Sequence, residues 1–170
     1  MKVIVINGPM GVGKTAAGQR IAETVPGTAL IDGDWCMDIH PFVGNRETRA
    51  MAVDNILHMT GNYMRCSVCT QVVIAWLMDD ARVRESLSRG LDALGAETQW
   101  VTLVCGRESL QERWRNDRTC PWRTEEWLET SLASLPAFGE MENVLDTGSL
   151  TVEEVSRRIL QGGKNGDGTV

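Results

Sequence analysis

Lysine is scarce in this chain of 170 residues, and long hydrophobic runs are missing from it. Three lysines stand against fourteen arginines. No stretch reaches the ~18–20 consecutive apolar residues that a membrane-spanning helix requires. The N-terminal apolar run Val3–Ile6 is too short for the core of a signal peptide, and no cleavage site follows it. We therefore expect a cytoplasmic protein that has no membrane partner.

Positive charge is also in short supply. The chain carries 23 acidic and 17 basic residues, which gives a formal net charge of −6 and a pI of about 5.0. Because nonspecific nucleic-acid binding depends on a basic surface, we expect no nucleic-acid partner. An anionic ligand held by a few local charges remains compatible with this composition. The hydrophobic fraction of 42% and the length indicate one globular domain with a core.

Zinc ligands and disulfide patterns are lacking as well. The chain has two histidines and five cysteines, of which Cys66 and Cys69 form a single C-x-x-C pair. A structural zinc site needs about four ligands. An odd number of cysteines without the spacing of a small disulfide scaffold suits reduced thiols. We expect the C-x-x-C pair to be structural, with a redox pair as the alternative.

Short apolar runs alternate with longer helical patterns, which predicts a parallel β-sheet built from βαβ units. No repeat and no Pro/Gly/Ser-rich linker divides the chain. We therefore expect one domain over residues 1–162 and a flexible tail over residues 163–170. The predicted strands are Lys2–Ile6, Thr28–Asp32, Gln71–Leu77, Gln99–Cys105 and Asn143–Asp146.

Helical patterns fill the intervals between these strands. The first helix is predicted over about Lys14–Val25. Asp79 or Asp80 is expected to cap the helix that follows the third strand. Two helices broken near Thr119–Arg123 come after the fourth strand, and the last helix is expected to start at Thr151 with a capping box.

A glycine-rich loop joins the first strand to the first helix, with the sequence Gly8-Pro9-Met10-Gly11-Val12-Gly13-Lys14-Thr15. This is the pattern G-x-x-x-x-G-K-T. Glycines allow successive backbone N–H groups to converge on phosphate oxygens, and the helix N-terminus adds partial positive charge. Lys14 is expected to reach the β- and γ-phosphates, and the Thr15 hydroxyl to ligate Mg²⁺. Together with Ala16, these residues form the predicted nucleotide-binding set.

A phosphate-binding loop alone does not name a reaction. The chain lacks the Asn-Lys-x-Asp motif of signalling GTPases and the Leu-Ser-Gly-Gly signature of transporter ATPases. It is also too short for a helicase or a ring-forming ATPase. The second predicted strand ends in Ile31-Asp32-Gly33-Asp34-Trp35. Combined with the glycine loop, this ending resembles the shikimate, gluconate and adenylylsulfate kinases, which are small P-loop kinases.

The resemblance extends in outline over most of the chain. Segment Arg107–Arg123 is similar to the mobile lid of these kinases, and Leu145–Gly148 to their final strand and nucleotide-side loop. The pattern running from Asp34-Trp35 through His40-Pro41-Phe42 to Asn55 is most similar to uncharacterised bacterial nucleotide-kinase-like ATPases. The resemblance implies a three-layer α/β/α P-loop NTPase fold, whose five parallel strands lie in the order 2-3-1-4-5. It also implies ATP and Mg²⁺ as cofactors.

Acidic side chains follow the second strand, at the edge of the sheet where open α/β proteins bind ligands. One of two acids in this position can hold Mg²⁺ and the other can deprotonate an acceptor hydroxyl. The resemblance assigns the base to Asp34 and metal support to Asp32. The alternative is a pair of turn-forming aspartates around Gly33. The third strand contains no acid, so Asp79 could serve the metal or could only cap a helix.

Arginine supplies the candidate cations for phosphoryl transfer. Segment 107–123 contains five of the fourteen arginines. A closing lid of this kind can neutralise charge on the γ-phosphate oxygens in the transition state. The resemblance implies that Arg113 stacks on adenine and that Arg118 and Arg123 lie in the lid turn, where they assist catalysis. A solvated helix face with ion pairs is the alternative.

The acceptor is expected to bind along segment 35–65. Its candidate contacts are Asp34, Trp35, Arg46 and Arg49. An anionic acceptor would need a cation, and because cations are mildly unfavourable at a helix start, the two arginines there are expected to have a function, with a solvated surface as the alternative. An aromatic wall at Trp35 suits a small molecule, with a place in the core as the alternative. We therefore predict a monomeric or dimeric ATP- and Mg²⁺-dependent phosphotransferase that acts on a small molecule. The alternatives are a nucleoside-monophosphate kinase and a nucleotide-binding regulatory ATPase without a small-molecule acceptor.

Overall fold

Five parallel strands form the centre of the molecule. The computed structural model describes residues 1–117, 120 and 124–162. The strands are β1 (Lys2–Asn7), β2 (Thr28–Asp32), β3 (Gln71–Ala75), β4 (Glu97–Val104) and β5 (Val144–Asp146). They pair in parallel in the order β2-β3-β1-β4-β5. The predicted fold class and strand order are confirmed.

Helices cover both faces of the sheet, as a parallel sheet requires. Successive side chains of a strand point to opposite faces, so Ile4 and Ile6 of β1 belong to one hydrophobic core and Val3 and Val5 to the other. The first core includes residues from α1 (Lys14–Thr24), α4 (Arg107–Asn116), α5 (Glu125–Gly139) and α6 (Val152–Leu160). The second includes residues from α2 (Arg46–Met64) and α3 (Ala81–Ala93).

Side-chain caps define where several helices begin. The predicted capping box at the last helix is present, since Thr151 and Glu154 hydrogen-bond each other's backbone N–H groups. Of the two aspartates predicted to cap α3, it is Asp80 that accepts from the Arg82 backbone N–H at 2.9 Å. The Arg82 side chain and N–H lower the pKa of Asp80 to about 2. This stabilising contact is complete above the ordinary aspartate pKa and is lost as the pH falls towards 2.

Two strand ends differ from the prediction by two residues, and the other differences are of one residue. The hydrophobic pattern predicts a third strand to Leu77, but β3 ends at Ala75. Trp76 and Met78 remain buried beyond that end because the buried Asn7 side chain bonds both the N–H and the carbonyl of Met78. The hydrophobic pattern therefore indicated buried residues correctly, but burial continues beyond the end of the strand. The fourth strand begins two residues earlier than predicted, at Glu97, whose N–H donates to the Met1 carbonyl.

The break between the fourth and fifth helices lies where the sequence predicts it. Helix α4 ends at Asn116 and α5 begins at Glu125. Residues 118, 119 and 121–123 of this connection lie outside the described residues, as does the predicted tail at 163–170. Within the part of the chain that the structure describes, no helix is long and apolar enough to cross a membrane.

Gly33 follows β2 at a point of very close packing. Its N–H donates to the Ala75 carbonyl, and a Cβ on Gly33 would lie 2.1 Å from Cγ of the buried Trp76. We expect Gly33→Ala to lower the free energy of unfolding by about 1–3 kcal/mol, because the indole must move. Gly139→Ala is the control, since a Cβ there meets nothing within 4 Å. Urea unfolding that gives equal stabilities for the two variants would contradict this packing.

Candidate active site

The glycine loop adopts a conformation that depends on its glycines. Gly8, Gly11 and Gly13 have φ angles of 143°, 81° and 105°, in the region that residues with a side chain rarely adopt. A Cβ on Gly8 would also lie 2.4 Å from the Leu103 carbonyl oxygen of β4. Helix α1 begins directly after the loop, at Lys14. The unpaired N–H groups of the first helical turn therefore lie beside the loop, as an anion site requires.

Two distant side chains hold the carbonyl groups of this loop. The hydroxyl of Ser131, buried in α5, donates to the Met10 carbonyl oxygen at 2.7 Å. The guanidinium of Arg113 in α4 donates to the Val12 carbonyl oxygen at 2.9 Å. Because a trans peptide unit is planar, its N–H points opposite to its carbonyl. The N–H groups of Gly11 and Gly13 are therefore directed away from α4 and α5, so these two helices orient the loop's donors.

The predicted metal ligands meet at the N-terminus of α1. The Thr15 hydroxyl donates to Oδ2 of Asp32 at 2.8 Å, and Oδ1 of Asp32 accepts from the Asp34 backbone N–H at 3.0 Å. Beside this pair, Nζ of Lys14 donates to the Pro9 carbonyl oxygen at 2.9 Å. The glycine loop, Lys14 and the Asp32 carboxylate thus lie together at the carboxyl ends of β1 and β2.

This donor set fits magnesium. A hydroxyl and a carboxylate oxygen are hard ligands, and Mg²⁺ is commonly held by one or two such groups together with water and substrate phosphates. Among the described residues, no group of three or more His, Cys, Asp or Glu side chains could hold a metal ion. The cysteines are unbridged over the same described residues. The arrangement suits a magnesium–nucleotide complex better than a metal cage built from protein ligands alone.

Asp34 precedes a short 3₁₀ turn, of which Trp35 is the first residue. The turn spans Trp35–Met37 and begins after Asp34, whose carbonyl accepts from the Met37 N–H at 3.2 Å. Asp34 is exposed and lies two residues beyond Asp32. The Trp35 side chain is 84% exposed. Both predicted acceptor contacts therefore lie at the same end of the sheet as the glycine loop.

The two arginines predicted to bind an anionic acceptor have different surroundings. Arg46 is exposed at the start of α2. Arg49, one turn later, forms an ion pair with Asp79, with 2.7 Å between Nη1 and Oδ1. Asp80, and not Asp79, caps α3. The Asp79 carboxylate also accepts from the Asp80 N–H at 2.9 Å. The ion pair joins the acceptor-side helix to the loop after β3 and offsets the charge of Arg49.

Arg113 is held by its edges between two loops. Besides Val12, its guanidinium donates to the hydroxyl and to the carbonyl oxygen of Thr147, which follows β5. These contacts give Arg113 a role that the resemblance did not suggest, in fixing the glycine loop relative to the loop after β5. Stacking on adenine would use the faces of the guanidinium, and this role remains a prediction. Arg118 and Arg123 lie outside the described residues.

Two clefts adjoin the glycine loop. One, of about 440 Å³, lies against the loop and the end of α4, where Gly11, Gly13 and Arg113 line it. The other, of about 570 Å³, includes both Thr15 and Asp32 in its wall. The loop and the first turn of α1 thus lie between two cavities, an arrangement that can accommodate a nucleotide on one side and a second molecule on the other.

The sequence analysis assigned no contact to three polar residues at or near this site, although Asn55 belongs to the pattern that carries the resemblance. Ser131 lies 121 residues from the loop that it holds, and Asn7 lies 71 residues from Met78, which it bonds. Asn55 donates to the Cys36 carbonyl at 2.8 Å and lines the larger cavity. The signal available for Asn7 is a polar residue that ends a hydrophobic run. A serine inside a helix carries no comparable signal.

Comparison with known proteins identifies the fold. No protein-family model and no curated protein sequence matches the chain. Among solved structures, it is similar to a tunicamycin resistance protein of Deinococcus radiodurans at a TM-score of 0.70 and 20% identity, covering 95% of this chain and 94% of that one. A gluconokinase from Sinorhizobium meliloti 1021 matches at a TM-score of 0.68 and 21% identity, with 95% and 91% covered.

A shikimate kinase from Bacteroides thetaiotaomicron is also similar, at a TM-score of 0.63 and 16% identity over 94% of this chain and 97% of that one. These matches extend over nearly the full length of both chains, so they concern the whole sheet and its helices. The expected resemblance to small P-loop kinases is confirmed at the level of the fold. The chain has the three-layer α/β/α fold of the small P-loop kinases.

Proposed function

We propose that this protein is an ATP- and Mg²⁺-dependent phosphotransferase that transfers the γ-phosphate to a hydroxyl or phosphate oxygen of a small-molecule acceptor. The observation that carries the proposal is the hydrogen bond from Thr15 to Asp32 beside the glycine loop. It joins the two residues expected to hold the metal at the end of the sheet where α/β proteins bind ligands. Two kinases among the structural neighbours support the same reaction class.

The loop Gly8–Ala16 would bind the phosphates through its N–H groups, with Lys14 on the β- and γ-phosphates. Thr15 and Asp32 would hold Mg²⁺, which supplies charge neutralisation on the phosphate oxygens. Asp34 would take the proton of the acceptor hydroxyl. Arg113 would contact the adenine, and Arg118 and Arg123 would add positive charge at the reacting phosphate. Trp35, Arg46 and Arg49 are the sequence-based candidates for acceptor contacts.

The decisive experiment is a transfer assay. The purified full chain is incubated with MgATP and a panel of sugars, nucleosides, nucleotides and hydroxy acids, and ADP and phosphorylated product are measured by mass spectrometry. We expect at least one panel member to raise ADP release and to gain one phosphate. An absence of ATP binding, measured by calorimetry with and without Mg²⁺, would overturn the proposal.

We expect the protein to be a monomer or a homodimer and to be located in the cytoplasm.

A regulatory ATPase is the second candidate, because one observation favours it. Strand β3 contains no acid, and Asp79, the nearest acid after it in sequence, pairs with Arg49. A protein of this class hydrolyses ATP slowly, and no member of the acceptor panel accelerates it. The nucleoside-monophosphate kinase alternative depends on Arg46 and Arg49 as phosphate contacts. It predicts that nucleoside monophosphates are phosphorylated and that Arg49→Ala raises their KM.

The hydroxyl of Ser131 is expected to support nucleotide binding through the loop that it orients. We expect Ser131→Ala to weaken ATP binding by about 2- to 10-fold, the equivalent of one hydrogen bond of ~0.5–1.5 kcal/mol. Ser134→Ala is a matched control, because that hydroxyl bonds the Ser131 carbonyl within the same helix and has no described contact with the loop. Calorimetric titration with MgATP checks the effect, and identical affinities in both variants would contradict it.

A further inference from the structure

The larger cavity lies at the open edge of the sheet. We call it the edge cavity; its volume is about 570 Å³. Strand β2 is an edge strand, with α1 packed on one face of the sheet and α2 on the other. The edge cavity contacts all three elements, so it spans the edge of β2. Its volume is within the range of about 300–1,000 Å³ that small-molecule sites occupy.

The described lining residues of the edge cavity include no lysine or arginine. The one charged residue among them is Asp32, whose negative charge Mg²⁺ would offset in the proposed function. Neither Arg46 nor Arg49 belongs to this lining, and Arg49 is already paired with Asp79 at 2.7 Å. An anionic group held there would find no positive side chain among these residues to compensate its charge. The cavity therefore favours an uncharged ligand.

Polar and apolar groups on α2 and in the 3₁₀ turn define which other groups the ligand must carry. Asn55 donates its Nδ2 to the Cys36 carbonyl at 2.8 Å, which orients its Oδ1 as an acceptor for a ligand O–H or N–H. His58 adds an exposed imidazole, which can donate or accept. The exposed side chains of Trp35 and Met59 form apolar walls. A hydroxyl-bearing molecule with an apolar or aromatic body matches this combination.

We propose that the edge cavity binds the phosphoryl acceptor, and that this acceptor is an uncharged, hydroxyl-bearing molecule with an apolar or aromatic body. This inference rests on the proposed phosphotransferase function. Thr15 and Asp32 form part of the cavity wall, so a bound hydroxyl lies beside the group that would hold the metal. The hydroxyl oxygen bonds to the γ-phosphorus as the bond between that phosphorus and the β-phosphate oxygen breaks. ADP leaves with the electron pair. Asp34, which lies outside this lining but directly before the lining residue Trp35, takes the hydroxyl proton.

Matched pairs of probes test the charge of the acceptor. Thymidine is compared with thymidine monophosphate, and 2-phenylethanol with phenylacetate, each with MgATP and the full chain. We expect phosphorylated product from an uncharged member and none from the anionic members. Product from an anionic member alone, or from no member of any pair, overturns the inference. If no probe is phosphorylated, ATP binding is measured in the wild type and in Lys14→Ala. Binding by the wild type that is lost in the variant supports the nucleotide-binding part of the proposed function.

Two matched substitutions on α2 test the location. Met59 lines the edge cavity and Met51 does not, although both side chains are 36% exposed. We expect Met59→Trp to raise the KM for the uncharged acceptor about 10-fold or more, the size of effect that one misfitting group has in an apolar pocket. Hydrolysis of ATP without acceptor is measured in parallel for both variants. Met51→Trp is expected to change neither quantity. An unchanged acceptor KM in Met59→Trp overturns the assigned location.

Discussion

Lys14→Ala is expected to lower the rate of phosphoryl transfer by about 100- to 1,000-fold, the range found when one charge-stabilising donor is removed from an active site. The ammonium lies at the first residue of α1 and contacts the Pro9 carbonyl across the glycine loop. There it can follow negative charge as it shifts from the γ-phosphate to the β–γ bridging oxygen. Alanine favours helix formation and leaves the three positive-φ glycines in place, so the loop should keep its backbone conformation.

The measurement is the initial rate of ADP and product formation, together with calorimetric affinity for MgATP and urea unfolding. Lys2→Ala is the control, because it removes the same charge from the start of β1, at the opposite end of that strand. The control should keep wild-type turnover. Turnover within twofold of the wild type in Lys14→Ala would refute both the role of the lysine and the proposed reaction. A loss of unfolding free energy in Lys14→Ala would mean that the lysine is structural.

Asp34→Asn is expected to lower kcat for the acceptor by about 10²- to 10⁴-fold, the contribution typical of a positioned general base. The amide has nearly the shape of the carboxylate but cannot take a proton. The 3₁₀ turn should persist, because the Asp34 backbone N–H and carbonyl keep their hydrogen bonds to Asp32 and Met37. The KM for ATP should change little, since the nucleotide is expected to contact the glycine loop.

Asp38→Asn is the matched control in the same segment. Asp38 is exposed, and its described partner is His40, with 3.1 Å between Oδ1 and Nε2. It should retain the wild-type kcat. Steady-state kinetics with an identified acceptor provide the comparison. If Asp34→Asn keeps its kcat, the proton has another acceptor, and the adjacent Asp32 carboxylate becomes the group to test with Asp32→Asn.

Local patterns account for much of what could be predicted. The second strand was predicted with its observed limits, Thr28–Asp32, because Pro26 and Gly27 mark its entrance and a turn with Gly33 follows it. The capping box at Thr151 was predicted because its interactions span three residues. The end of β3 could not be predicted in the same way. Burial continues through Met78, and hydrophobicity alone does not separate a buried strand from a buried loop.

Contacts between distant segments explain the remaining differences at the site. Arg49 was expected to be available to an anionic acceptor, but its ion pair with Asp79 forms only when α2 packs beside the loop after β3. Arg113 was expected at the adenine, which stays a prediction, and its edges also hold the glycine loop and the loop after β5. The sequence shows that each of these side chains is a positively charged hydrogen-bond donor. Which group each one contacts depends on how the helices pack on the sheet.

The sequence by itself determined the phosphate-binding loop and the alternation of strands and helices, because both depend on residues that are close together in the chain. The right-handed crossovers of a parallel sheet then restrict the strand order to few possibilities. Only the tertiary structure decided that Ser131 orients the loop from 121 residues away and that Asp79 offsets Arg49. It also decided that the edge cavity combines polar groups with apolar walls. These features arise where separate helices meet the sheet, so no local pattern encodes them.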